Sequence, residues 1–105
     1  MLTTFQKRVY RLCTQIPYGK VSTYKAIGEA LRSSGHIYRA VGAALHHNPF
    51  APHVPCHRVV CSNGGIGGFA TGCQHKINLL KKEGISVKNK IILDFEKKLF
   101  VKFKK

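Results

Sequence analysis

"STYKAIGEALRSSGHIYRAVGAALHHN", residues 22–48, holds two short helical patterns separated by "SSG". In the first, Ile27, Ala30 and Leu31 share a face, Ser22 or Thr23 stands ready as the N-cap, and Gly35 closes the element. In the second, Ile37, Val41, Ala44 and Leu45 point inward and Asn48-Pro49 stops the helix. Two short helices joined by a tight Ser/Gly turn make a helix-turn-helix pattern. Many proteins that never meet DNA contain such a pair, so the pattern sets the fold class and leaves the function open.

On the N-terminal side, "TTFQKRVYRLCTQI" reads as a helix. Thr3 and Gln6 fit a capping box, and Phe5, Val9, Leu12 and Ile16 recur at helical spacing. Pro17 and Gly19 in "IPYGK" turn the chain out of it. On the C-terminal side, residues 48–70 read as irregular, with Pro49, Pro52 and Pro55 against helix and "SNGGIGG" supplying a hairpin or tight loop. "CQHKINLLKKEG" returns to helix, with Ile77, Leu79 and Leu80 apolar and Gly84 as its C-terminal cap. The tail, 85–105, mixes "IILDF" with "KKLFVKFKK" and reads either as a strand pair or as a short element ending in an irregular basic arm over 86–105. The expected fold is mainly α: one small helical domain over 1–105, with a winged-helix-like helix-turn-helix and a short β-hairpin or wing.

The chain of 105 residues carries 18 Lys and Arg against four acids, a net charge of +14. Such an excess repels itself unless a polyanion neutralises it. Nucleic acid is the first candidate partner and an anionic membrane surface the second. No run reaches the roughly 18 apolar residues of a spanning helix, and no basic-then-apolar leader opens the chain. The expected location is intracellular: cytoplasmic, or nuclear in a eukaryote. Cys13, Cys56, Cys61 and Cys73 are then expected as reduced thiols. His46, His47, His53, His57 and His75 lie near three of them in sequence, but the pairs lack the spacing of a structural zinc site, and no metal is expected.

Cys56 stands apart, in "VPCHRVV", residues 54–60. A free cysteine often only packs, and that is the expectation for Cys13, Cys61 and Cys73. At Cys56 a proline fixes the preceding backbone, His57 adjoins, and Arg58 adds positive charge. Basic and cationic neighbours favour the thiolate, the form that attacks. A thiol, a base and a carboxylate that orients the base repeat the logic of a catalytic triad. Of the four acids, Glu29, Glu83, Asp94 and Glu96, Glu83 stands at the end of a core helix, although the sequence does not place it against His57.

"PCHRVV", with "YRAVGAALHHNP" before it and "GGIGGF…K…LL..EG" after it, closely resembles the O6-alkylguanine-DNA alkyltransferases. "FQKRVY", "IPYGKVSTY" and "AIGEAL" extend the resemblance over residues 5 to about 86. It implies direct-reversal DNA repair: an O6-alkylguanine is flipped from double-stranded DNA and its alkyl group passes irreversibly to the cysteine, once per molecule, without a cofactor. Position by position, the resemblance makes Cys56 the acceptor, His57 the base acting through a water, and Glu83 the residue that orients His57. Asn48 would brace the turn between recognition helix and active site. Tyr24 would bind the flipped base and press on the backbone phosphate, and Arg39 would fill the gap in the stack. The carbonyls of Cys56 and Val59 would accept from the guanine amino group, and the Ala70 N–H would reach O6. Arg58 and Lys76 fall within the matching motifs as supporting residues.

The small residues Ala40, Gly42 and Ala43 suit close backbone approach in the minor groove, the docking this family uses, rather than long-side-chain reading of the major groove. A monomer is expected. Phe69 stands where many members carry tyrosine, so a hydroxyl bond from that position is lost. Ala70 replaces a common serine but keeps the main-chain donor. The match begins at the first helix of the family's DNA-binding, catalytic domain, and the usual N-terminal α/β domain is expected to be absent. Alkyltransferase-like proteins, which bind the same lesions without repairing them, put tryptophan at the Cys56 position, and this chain has no Trp. A plain helix-turn-helix regulator, with Cys56 only packing, is the reading from another class.

Overall fold

A computed structural model of the chain describes residues 2–31, 37–50, 53–67 and 73–104. Helix α1, Thr4–Cys13, opens with the capping box: the Gln6 N–H donates to Thr3 Oγ1 and the Thr3 N–H to Gln6 Oε1. Strand β1, Ser22–Thr23, runs directly into α2, Tyr24–Ala30, with Thr23 as N-cap accepting from the Ala26 N–H. Helix α3 is Ile37–His46. The Ser/Gly turn between α2 and α3, including Gly35, and the side chain of Ile37 lie outside the described residues. Val9, Leu12 and Ile16 of the first stripe, Ile27 and Leu31 of the second, and Val41, Ala44 and Leu45 of the third meet in one buried cluster. The Tyr10 hydroxyl adds a polar tie by donating to the Ala44 carbonyl at 2.6 Å.

The region after α3 holds more order than its prolines suggest. Cys56–Arg58 form one turn of 3-10 helix, and β2, Val59–Val60, follows. β2 pairs in parallel with β1, Ser22 opposite Val59 and Thr23 opposite Val60. Neither two-residue strand carries enough alternation to be read from sequence. The "SNGG" segment makes a tight turn in which the Gly64 N–H donates to the Cys61 carbonyl.

Helix α4, Cys73–Lys82, ends in a Schellman motif. The Ile85 N–H reaches the Leu80 carbonyl and the Gly84 N–H the Lys81 carbonyl, each at 3.0 Å, while Gly84 takes φ +81°. The cap read from Gly84 therefore sets Glu83 at the helix C-terminus.

Of the two readings of the tail, the strand pair is observed, and an irregular arm over all of 86–105 is not. β3, Val87–Lys88, and β4, Ile91–Ile92, form an antiparallel hairpin, and α5, Phe95–Lys98, follows. Beyond it the chain pairs with Val21: the Val21 N–H donates to the Lys98 carbonyl and the Phe100 N–H to the Val21 carbonyl. Apolar residues spaced among the lysines explain the docking. Ile92 and Phe95 join Val21, Val60, Ile66, Leu80 and Ile85 in a second cluster, and Phe100 and Phe103 pack on the first. The Gln15 amide bonds the Lys104 carbonyl and N–H, each at 2.6 Å.

Candidate functional site

The β1–β2 pair joins the start of α2 to the 3-10 turn, and so brings Tyr24 to Cys56. Cys56 is 8% exposed. Its N–H donates to the Val54 carbonyl, the Arg58 N–H to the Pro55 carbonyl, and the Val59 N–H to the Cys56 carbonyl. The turn thus fixes the thiol's backbone from both sides. Asn48 braces the approach to it: its amide donates to the Val54 carbonyl at 2.7 Å and accepts from the Phe50 N–H at 2.9 Å.

His57 and Glu83, which residue spacing alone did not bring together and the family resemblance did, are in contact. The His57 Nε2–H donates to Glu83 Oε2 at 2.7 Å. Arg58 closes a fork on the same carboxylate, Nε to Oε1 at 2.8 Å and Nη2 to Oε2 at 2.9 Å, and its Nη1 donates to the Ile16 carbonyl. The Gly19 N–H adds a longer bond to Oε1 at 3.3 Å. A carboxylate at a helix C-terminus faces the negative end of the helix dipole. Burial pushes the Glu83 carboxyl up, but the bonds from Arg58, His57 and Gly19 outweigh it and hold it below its ordinary value. Burial pushes His57 down, and the opposing pull of Glu83 does not restore it. The imidazole is therefore neutral at pH 7. Because an ionised carboxylate only accepts, Nε2 must carry the hydrogen and Nδ1 keeps its lone pair. That is the tautomer a base beside a thiol requires.

Lys76 is a residue whose burial the sequence did not reveal. It is fully buried, and its Nζ donates to the Val59 carbonyl at 2.7 Å while standing 5.9 Å from the Tyr24 ring centroid. Its spacing of four from Leu80, on the inward stripe of α4, was the available signal, but a lysine in a lysine-rich helix reads as solvated. The bond takes one lone pair of the Val59 carbonyl and leaves one for a ligand. Tyr24 is mostly buried, and burial first, then the thiols of Cys61, Cys56 and Cys13, push its hydroxyl up to about 12. Gly67, at φ +71°, crosses in front of it: a Cβ there would lie 3.5 Å from the Tyr24 hydroxyl and 3.3 Å from Cys61 Sγ.

On α3, Arg39, Ala40 and Ala43 are exposed and Gly42 is half-buried. Among the described residues, Arg39 is the cation on this face, beside small side chains. Phe69, Ala70 and the side chain of Cys73 lie outside the described residues. Among the described residues no three His, Cys, Asp or Glu side chains gather as a metal site, and no helix is long and apolar enough to cross a membrane.

Fold and site together define a helix-turn-helix domain that carries a thiol next to a neutral, carboxylate-held histidine. The model of the 6-O-methylguanine DNA methyltransferase DNA-binding domain matches residues 4–85, and the chain belongs to that family. A methylated-DNA–protein-cysteine methyltransferase of Methanosarcina barkeri is 46% identical over 81 residues, covering 77% of this chain and 51% of the relative. Mycobacterium tuberculosis OGT in complex with DNA superposes with a TM-score of 0.75 at 41% identity, over 79% of this chain and 51% of that one. Schizosaccharomyces pombe Atl1, in complex with damaged DNA containing O6-carboxymethylguanine, gives 0.77 at 33% identity, over 95% of this chain and 98% of that one. The chain spans about half the length of the curated relatives it matches.

Proposed function

We propose that the chain repairs O6-alkylguanine in double-stranded DNA by moving the alkyl group to Cys56, and that residues 1–105 serve as one DNA-binding and alkyl-acceptor unit. The observation that carries this reading is the neutral His57, tied through Nε2 to Glu83, directly after the Cys56 thiol. The thiol proton passes through water to His57 Nδ1. The thiolate attacks the alkyl carbon, the S–C bond forms as the C–O6 bond breaks, and the leaving guanine takes up a proton. The net change moves the alkyl group from oxygen to sulfur and the hydrogen from sulfur to the base. Tyr24 stays a hydroxyl donor at neutral pH and faces the base and its phosphate. Arg39 occupies the gap left by the flipped nucleotide, at a cost in unstacking of a few kcal/mol. The small residues of α3 meet the minor groove as a monomer, and the DNA substrate sets the place of action as cytoplasm or nucleus. The thioether is not cleaved, so each molecule reacts once.

The near end-to-end match to S. pombe Atl1 favours a second reading, lesion recognition without transfer. One experiment separates them. The protein is incubated with a duplex containing O6-methylguanine, and its peptides are weighed. One methyl on Cys56, with one lesion repaired per molecule and none by Cys56→Ser, is the expected result. Tight lesion binding with an unmodified Cys56 supports the second reading.

A further inference from the structure

We propose that the β3–β4 hairpin is a wing that grips a phosphate strand of the damaged duplex through Lys88 and Lys90, beside the lesion site. The proposal rests on the DNA-binding reading above and extends its footprint beyond the helix-turn-helix.

The hairpin is built onto the loop that leads to the site. The Ile66 N–H donates to the Lys90 carbonyl at 3.0 Å, the Ile92 N–H to the Gly64 carbonyl at 2.9 Å, and Gly65 bridges Ile91 in antiparallel fashion. The next residue, Gly67, passes against the Tyr24 hydroxyl. Lys90 is thus bonded to the residue that precedes Gly67. A lysine beside the site is placed for the phosphates that flank a lesion bound there.

The turn chemistry points the same way. Asn89 and Lys90 are the two central residues of a two-residue hairpin loop, at φ 52° and 61°. Such a type I′ turn favours Asn followed by Gly. Asn89 obeys this rule. Lys90 does not: a long side chain is held in the left-handed region, where a glycine would sit without strain. The fold gains nothing visible from this side chain, which is exposed, whereas its carbonyl bond to Ile66 would survive in glycine. Register supplies the second cation. Val87 and Ile92 are partners on the inward face, so Lys88 and Ile91 share the outward one; Lys88 is exposed and Ile91 is 50% exposed. Lys90 thus stands at the turn end of β4, the strand paired with the Gly64–Ile66 segment, and Lys88 on the outer strand β3, in a chain whose net charge of +14 far exceeds what the site residues use.

The test is salt-dependent binding to a lesion duplex by Cys56→Ser protein, with and without further changes at the hairpin. Removing one lysine–phosphate ion pair should lower the slope of log affinity against log salt by about 0.9. Lys90→Gly should show that shallower slope yet melt higher by about 4 °C, as backbone strain is relieved. Lys88→Gln with Lys90→Gln should reduce the slope twice as much, and Lys90→Arg should keep it. Alkylation by free O6-alkylguanine base, measured with Cys56 intact, should be unchanged throughout. A wild-type slope in the double variant overturns the wing alone. A parent protein that does not bind lesion duplex overturns the DNA-binding reading and the wing with it.

Discussion

Arg58 and Glu83 meet as a two-pronged ion pair, with both guanidinium–carboxylate bonds shorter than 3 Å. The two residues are 25 apart in sequence, and their side chains are 17% and 7% exposed. The same carboxylate holds His57, and the same guanidinium holds the Ile16 carbonyl and lies 5.7 Å from the centroid of the Tyr18 ring. The fork therefore joins the segment after α1, the 3-10 turn and the end of α4 at one point.

Arg58→Ala should destabilise the fold by about 3–5 kcal/mol, because it leaves a buried carboxylate without its cation. Arg58→Lys keeps the charge but cannot form the fork, and should recover only part of the loss. Urea unfolding at pH 7 measures both. A loss below about 1 kcal/mol for Arg58→Ala would mean that the pair behaves as a surface salt bridge.

Glu83→Gln tests the tautomer argument. Glutamine still offers an oxygen to the His57 Nε2–H but no charge to stabilise an imidazolium. Alkylation with free O6-alkylguanine should slow at neutral pH. It should recover in part as pH rises, because solvent then takes the thiol proton. The free base keeps DNA binding out of the comparison. Rate profiles for wild type and variant that superimpose from pH 5.5 to 9 would remove Glu83 from the reaction.

The network also makes stability depend on pH with a definite sign. His57 titrates below its ordinary 6.5 in the folded protein, so between the two values the unfolded chain binds the extra proton. Glu83 titrates below its ordinary 4.5, and its contribution too is lost on acidification. Both effects are fully stabilising above about pH 6.5, and both fade as pH falls. Unfolding midpoints in urea should be flat from pH 8 to 7 and decline below 6.5, with a further decline below 4.5. His57→Gln should remove the upper decline. Its persistence in that variant would assign it to another group.

The three helices around the first core were legible because their stripes repeat at helical spacing, and explicit caps mark three of the chain's helix ends: Thr3 with Gln6, Thr23, and Gly84. Without the family resemblance, which paired Glu83 with His57, the site was legible only as adjacent residues. Cys56, His57 and Arg58 are neighbours in sequence, but the bond from His57 to Glu83 depends on how α4 ends and how the 3-10 turn faces it. No local pattern encodes that. The β1–β2 pair escaped because two residues carry no period, and Lys76 because composition hides a buried lysine among solvated ones. The tail's strand pair was legible only as one of two readings, because charge dominates the segment and its anchors Ile92, Phe95, Phe100 and Phe103 are spread through the lysines.

Gly42 sets fold against function. It lies within α3, where glycine costs about 0.5–1 kcal/mol relative to alanine. A Cβ at Gly42 would meet nothing within 4 Å, so the fold itself gives no reason for the missing side chain. Its neighbours Ala40 and Ala43 are small and exposed on the face that also carries Arg39. If that face lies in a minor groove, the absent methyl is needed by the DNA and not by the protein. Gly42→Ala should then raise stability by about 0.5–1 kcal/mol. It should also weaken binding to lesion duplex, with alkylation by free O6-alkylguanine unchanged. Thermal melting, duplex titration and the free-base rate read the three effects separately. A stabilised variant with undiminished duplex affinity would show that α3 keeps its distance from the groove floor, and Arg39 would then have to reach the stack from farther out.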